Sequence, residues 1–143
     1  MADLNDFVQL RIVSNEDIEF LYEILKERDE TVNVTHKKIP TFEEHKKFVN
    51  SKPYDVWYII LKDSRKVGHI NLDHFEIGWF IKKEYQKFGF AVEAFRKLKQ
   101  THKRTKYFGK VNPKNEPARK LLEKLGFKLK KKYSNYHLYE LCN

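Results

Sequence analysis

The chain has 143 residues, 41% hydrophobic and 15% aromatic, enough for one domain with a real core and too apolar for a disordered chain. Lys and Arg total 29 against 20 Asp and Glu, a net charge of +9 that attracts polyanions, nucleic acid and nucleotide-linked small molecules alike. The lone cysteine, Cys142, excludes an intrachain disulfide and a Cys-based zinc site, and points to a reducing, cytoplasmic setting.

The N-terminal M-A-D-L-N-D has neither a basic flank nor an apolar run, so no secretory signal is expected. No segment approaches the ~20 apolar residues needed to span a bilayer. Phe7 to Val13 alternates as a first strand. Ser14 reads as a helix N-cap, with Glu16 and Asp17 in the first turn and Ile18, Leu21, Tyr22 and Leu25 at helical spacing. Residues 29–40 lack a period and read as a loop. Thr41-Phe42-Glu43-Glu44 matches a capping box, so a second helix runs to about Asn50. Tyr54 to Lys62 is rich in aromatic and β-branched residues and reads as a strand. Asp63 to Lys66 is a turn, Val67 to Leu72 a strand, Asp73-His74 a tight hairpin, and Phe75 to Ile81 the third strand of a meander.

Ala91, Ala94, Phe95 and Leu98 give a helical stripe that starts directly out of a glycine-containing loop. Lys106 to Asn112 is the next strand. Ala118, Leu121, Leu122 and Leu125 repeat the helical stripe, which Gly126 stops. Phe127 to Lys132, half-exposed by its alternation, and His137 to Leu141 close the chain. No linker or repeat interrupts residues 1–143, so the expectation is a single α/β (α+β) domain. Its mixed central sheet has about seven strands flanked by about four helices.

The segment from Glu76 to Val92, E-I-G-W-F-I-K-K-E-Y-Q-K-F-G-F-A-V, is a strand feeding a loop and a helix N-terminus. Unpaired amides and the positive end of a helix dipole meet at such a point, which suits a phosphorylated ligand. Gln86-Lys87-Phe88-Gly89-Phe90-Ala91 fits the pattern Q/R-x-x-G-x-G/A. Further on, Val111-Asn112-Pro113-Lys114-Asn115-Glu116-Pro117-Ala118 precedes a helix ending Glu123-Lys124-Leu125-Gly126-Phe127. Together the two blocks resemble the GNAT superfamily of acetyl-coenzyme A-dependent N-acetyltransferases. The resemblance is specific over the second half of the chain, and over the first half it lies in element order.

That resemblance implies roles. The backbone of Gln86, Lys87, Phe88, Gly89, Phe90 and Ala91 would cradle the pyrophosphate of acetyl-CoA. Trp79, Phe80 and Ile81 would pair through their backbone with the pantetheine arm. Asn115, or Asn112, would hydrogen-bond that arm, although Asn115 is also an N-cap by type. Glu76, near the position of a catalytic glutamate in several family members, is the candidate general base. It reads equally as a solvent-facing strand carboxylate or a partner for Lys83. His74, at a turn, is a second candidate with a suitable intrinsic pKa. No metal is expected. Leu122 departs from the pattern, because many members carry there a tyrosine that protonates the leaving thiolate.

The stretch Ile39 to Phe48, I-x-x-x-E-E-H-x-x-F, resembles enzymes that acetylate amino sugars carried on nucleotides. A small-molecule or nucleotide-linked amine is therefore the expected acceptor. His36, Lys37 and Lys38 would meet its phosphates, and His45 would be a ligand or half-buried scaffold. The strand E-I-G-W-F-I also resembles that of acetyltransferases acting on protein N-termini, which is the alternative acceptor class. A non-catalytic coenzyme A sensor and an RNA-binding module stand as readings from other classes. No recognised motif supports RNA, and the basic residues are spread over every helix. A monomer or homodimer, with no membrane partner, is expected.

Overall fold

A computed structural model describes residues 8–28 and 38–143. Among these, seven strands form one mixed sheet in the order β1-β2-β3-β4-β5-β7-β6. The strands β1 (Gln9–Ile12), β2 (Val56–Lys62), β3 (Arg65–Asp73) and β4 (Glu76–Ile81) are antiparallel neighbours. β5 (Lys106–Val111) runs parallel to β4, and β7 (His137–Cys142) lies between β5 and the edge strand β6 (Lys128–Lys132). Helices α1 (Ile18–Glu27) and α2 (Phe42–Asn50) precede the meander. α3 (Phe90–Thr101) and α4 (Glu116–Lys124) flank β5 in the chain.

The strand period of two divides the sheet's residues between its faces. Ile18, Leu21 and Val49 of α1 and α2 bury Ile59, with Trp57 and Leu61 packed alongside. On the opposite face, Ala94, Phe95 and Leu98 of α3 and Leu122 of α4 close over Ile70, Leu72, Ile77, Ile81 and Tyr107. The sheet thus sits between two helical layers, and among the described residues its second half carries a helix on one face only.

Both early helices start where the local sequence says. Ser14 and Asp17 form a reciprocal capping box before α1, opening with a 3-10 turn over Asn15–Asp17; Thr41 and Glu44 form another before α2. Asp17 does more than cap. Its side chain is fully buried and receives Arg11 Nη2 at 2.8 Å, Lys66 Nζ at 2.8 Å and the Ser14 N–H at 2.8 Å. One carboxylate therefore ties β1 and β3 to the head of α1. Burial alone would raise its pKa; the bonds from Arg11, Lys66 and Ser14 outweigh burial and hold it at about 2. The folded-state pKa is depressed, so this stability is present above the unfolded value and is lost as pH falls from about 4 toward 2. Asp17→Asn leaves two cations facing a neutral amide and is expected to cost about 3 kcal/mol, roughly 10 °C in Tm. Thermal melts at pH 7 and pH 2.5 check this, the wild-type advantage shrinking at the lower pH.

Two turns and one burial pattern differ from the sequence reading. The β2–β3 turn contains only Asp63 and Ser64, at φ 50° and 66°, so Arg65 and Lys66 belong to β3. The next turn is His74-Phe75 rather than Asp73-His74, with Asp73 opposite Glu76 in the ladder; the Asp55 carboxylate accepts the His74 N–H at 2.8 Å and holds that turn. Every residue of β6 is exposed, Leu129 to 45%, because the strand is an edge paired only with β7. Its lysines keep that edge from recruiting another strand.

Candidate active site

The parallel pair β4–β5 is joined at only two register positions, Glu76 with Phe108 and Ile77 with Gly109. From Gly78 to Ile81, β4 has a neighbour on its β3 side alone, and the edge facing β5 is left open. This splay runs straight into the loop before α3. Gln86 Nε2 donates back to the Ile81 carbonyl at 2.9 Å, the Lys82 N–H donates to the Val67 carbonyl at 2.8 Å, and the Lys83 N–H donates to Glu27 at 3.0 Å. The loop is thus clipped to the sheet and to α1 before it turns.

Its turning part has a distinctive backbone. Lys87 sits at φ 72° and Gly89 at φ 81°, left-handed positions on either side of Phe88. Among the described residues, no acceptor takes up the N–H of Lys87, Phe88 or Gly89. Successive free amides at the head of a 12-residue helix make an anion-binding concavity. A Cβ placed at Gly89 would meet no protein atom within 4 Å, so the space above this glycine is open. Phe88, 61% exposed, and Phe90 border it with their rings 5.8 Å apart.

The other sequence-derived candidates fall as follows. Trp79 packs toward the α3 side and Phe80 toward the α1 side, as alternation requires, while the main chain of both borders the splay. Asn115 caps α4 by accepting the Ala118 N–H at 3.2 Å through Oδ1, which leaves its Nδ2 donors without a protein partner among the described residues. Asn112 shapes the turn before α4, its Oδ1 accepting from the Lys114 N–H and its carbonyl from the Asn115 N–H. Glu76 lies where β4 and β5 converge, 46% exposed, with Lys110 Nζ at 3.2 Å; this cation, not Lys83, is its partner. His74 is at the opposite end of β4 from the loop, its side chain 84% exposed. His45 is buried between α1 and α2, its Nε2–H donating to the Ile18 carbonyl at 3.0 Å, and burial lowers its pKa. His36 and Lys37 lie outside the described residues.

Leu122 is fully buried and packs on Gly109, where a Cβ would come within 2.9 Å of it. Position 122 thus presents aliphatic carbon, with no proton to donate. Tyr133 and Tyr136 stack on each other beyond β6, centroids 4.8 Å apart, and Tyr139 is buried opposite Gly109.

On the α1–α2 face of β3 and β4 lies a group that the sequence reading missed. His69 is buried opposite Phe80; its Nδ1 accepts from Trp57 Nε1–H at 3.2 Å. Burial, then the charges of Arg28 and His45, push its pKa down to about 3, so it stays neutral through the physiological range. Asn71 is buried across from Gly78 and its amide lies over that glycine. The Arg28 guanidinium stacks over the Phe80 ring at 5.4 Å. The available signal was the pair of polar residues two apart, His69 and Asn71, inside the otherwise apolar run of β3.

Among the described residues, no group of three or more His, Cys, Asp or Glu side chains could hold a metal ion. None of the described helices is long and apolar enough to cross a membrane.

Comparison with known proteins agrees with this fold. No curated protein matches the chain in sequence. A domain from Methanocaldococcus jannaschii superposes with a TM-score of 0.80 at 24% identity, covering 95% of this chain and 98% of that one. Spermidine N-acetyltransferase from Vibrio cholerae, solved with CoA and spermine, gives 0.78 at 18% identity and 94% coverage of each chain. The Salmonella typhimurium acetyl transferase that modifies the N-terminal serine of ribosomal protein L7/L12 gives 0.74 at 14% identity, covering 96% and 95%. The acetyltransferase (GNAT) domain family matches residues 7–128, and with the splayed β4–β5 pair and the amide loop already in place, the chain belongs to that family of acyltransferases.

Proposed function

We propose that this protein transfers an acetyl group from acetyl-CoA to a primary amine. The observation that supports it most is the open β4 edge leading into the free amides of Lys87, Phe88 and Gly89. A diphosphate fits that concavity by charge and by the vacancy above Gly89. The main chain of Gly78 to Ile81, apart from the Ile81 carbonyl that Gln86 already uses, offers unpaired hydrogen-bonding groups to an extended arm, and the Nδ2 of Asn115 offers a further donor. When bound, acetyl-CoA supplies the acetyl group as a thioester.

The protein's own residues then meet two chemical needs. A β4 backbone N–H stabilises the negative charge that develops on the acetyl oxygen. Glu76, at the closed end of the splay, takes the proton from the attacking amine, directly or through a water. The third need, protonation of the departing thiolate, has no obvious donor. Leu122 cannot supply one, and a thiol of pKa near ~8.5 leaves tolerably well as its anion.

For the acceptor, the reading placed first is a small-molecule or nucleotide-linked amine. The second is a protein N-terminal amine, favoured by the likeness to the enzyme that modifies ribosomal protein L7/L12. A thiol-release screen over amino sugars, nucleotide sugars, polyamines and peptides separates the two. Acetyl-CoA at 100 times its Kd is expected to stabilise the protein by about 2.7 kcal/mol and raise Tm by roughly 5–10 °C. Absence of any shift at millimolar acetyl-CoA would remove the donor site and with it the activity. A shift without thiol release on any amine would instead favour a CoA-binding sensor.

A further inference from the structure

Arg28 closes α1 as its C-cap residue, its N–H bonded to the Leu25 carbonyl. Its side chain does not run out to solvent as a helix-terminal arginine ordinarily does. It folds over the Phe80 ring, with Nε shielded from water and bonded to nothing among the described residues. None of the described carboxylates lies within ion-pair distance of it. Burial lowers its pKa, which marks the charge as desolvated. The neighbouring groups are neutral or aromatic: Tyr54, His69 and Phe80. Tyr54 itself is packed edge-on against Trp57, centroids 5.0 Å apart, and burial raises its pKa, so the neutral phenol does not serve as a counter-anion.

A partly desolvated guanidinium with no carboxylate partner among the described residues is costly to the fold. The α1 C-terminus offers partial negative charge but no acceptor for Nε, so the dipole does not account for the side chain's inward course. The position accounts for it better. Phe80 belongs to the unpaired segment of β4, and Arg28 lies on the side of that segment where α1 and α2 form the wall. On the same side, the Asn71 amide lies over Gly78.

From this placement we infer that the amine acceptor carries an anionic group, a carboxylate or a phosphate, which Arg28 binds over Phe80 while the amine reaches the splay. The planar fork of arginine matches either anion through two N–H donors, which a lysine ammonium would not do. The same charge repels polycationic amines, so spermidine is a poor acceptor here although a structural neighbour acts on it. The inference rests on the acetyltransferase reading and specifies its substrate class.

The test uses matched pairs of amines differing only in the anion: glucosamine 6-phosphate against glucosamine, and alanyl-aspartate against alanyl-asparagine. Binding to the CoA-loaded full chain is measured by calorimetry, and KM by thiol release. The expected result is that the anionic member of at least one pair binds tenfold or more tighter. Which pair responds tells phosphate from carboxylate. Arg28→Gln erases that difference, Arg28→Lys keeps part of it, and the Tm shift produced by acetyl-CoA is retained in both. Arg28→Met, which removes a desolvated charge, raises the Tm of the free protein. Equal binding within both pairs, a preference that survives Arg28→Gln, or tighter binding of spermidine than of every anionic probe overturns the inference. Failure of the wild type to bind acetyl-CoA overturns the acetyltransferase reading instead, so the two failures are distinguishable.

Discussion

Replacing Gly89 by valine is expected to weaken acetyl-CoA binding by about 100-fold, near 2.7 kcal/mol, while the protein still folds. The two effects of the substitution separate cleanly. A Cβ at Gly89 touches no protein atom within 4 Å, so packing is unaffected. The residue's φ of 81° is strained for a β-branched side chain and costs about 1–2 kcal/mol of stability. The binding cost has another origin. The valine methyls stand in the open space to which the Lys87, Phe88 and Gly89 amides are exposed, holding a diphosphate away from them. Alanine, carrying the same backbone strain with less bulk, loses a smaller part of the affinity. Calorimetric titration of both variants, with melts of the free proteins, checks the account. Wild-type affinity in Gly89→Val would show that the phosphate does not approach this backbone.

What the sequence revealed about this fold lies mainly in local chemistry. The pairs Ser14–Asp17 and Thr41–Glu44 announce helix starts because a capping box needs only four consecutive residues. Asn115 and Gly89 are readable for the same reason: one is a side chain that caps, the other a residue that tolerates a left-handed turn. The partnerships that cross the sheet were not readable. The sequence offered Lys83 as a partner for Glu76, yet its partner is Lys110, brought alongside by the parallel β4–β5 pair. Asp17 was read as a first-turn acid; only the fold brings Lys66 to it from β3. Arg28 looks like a cation at the end of a helix, and its inward course depends on how α1 lies over β4. The wall proposed for the acceptor is built from such long-range placements, whereas the loop proposed for the donor is one continuous segment. That is why the sequence says more about the proposed donor side than about the proposed acceptor side.

Glu76→Gln is expected to lower kcat by 100- to 10,000-fold at pH 7, the usual contribution of a general base, with acetyl-CoA affinity unchanged. The need for a base is set by the substrate. An alkylamine of pKa ~10.4 is overwhelmingly protonated at pH 7, and freeing its lone pair costs about 4–5 kcal/mol. Glutamine keeps the shape of the side chain but cannot hold the proton. The loss should therefore shrink as pH rises toward the amine's own pKa, where the free amine is already present. Stability should change by no more than about 1 kcal/mol, because the ion pair with Lys110 is half exposed. Lys110 also provides the control. If Glu76 serves only to pair that cation, Lys110→Gln lowers kcat as much as Glu76→Gln does. If Glu76 is the base, Lys110→Gln retains most of the activity, since removing the cation leaves the carboxylate free to face the acceptor. A pH–rate profile of Glu76→Gln parallel to wild type, or equal losses in the two variants, would take Glu76 out of the chemistry and leave proton removal to bulk water.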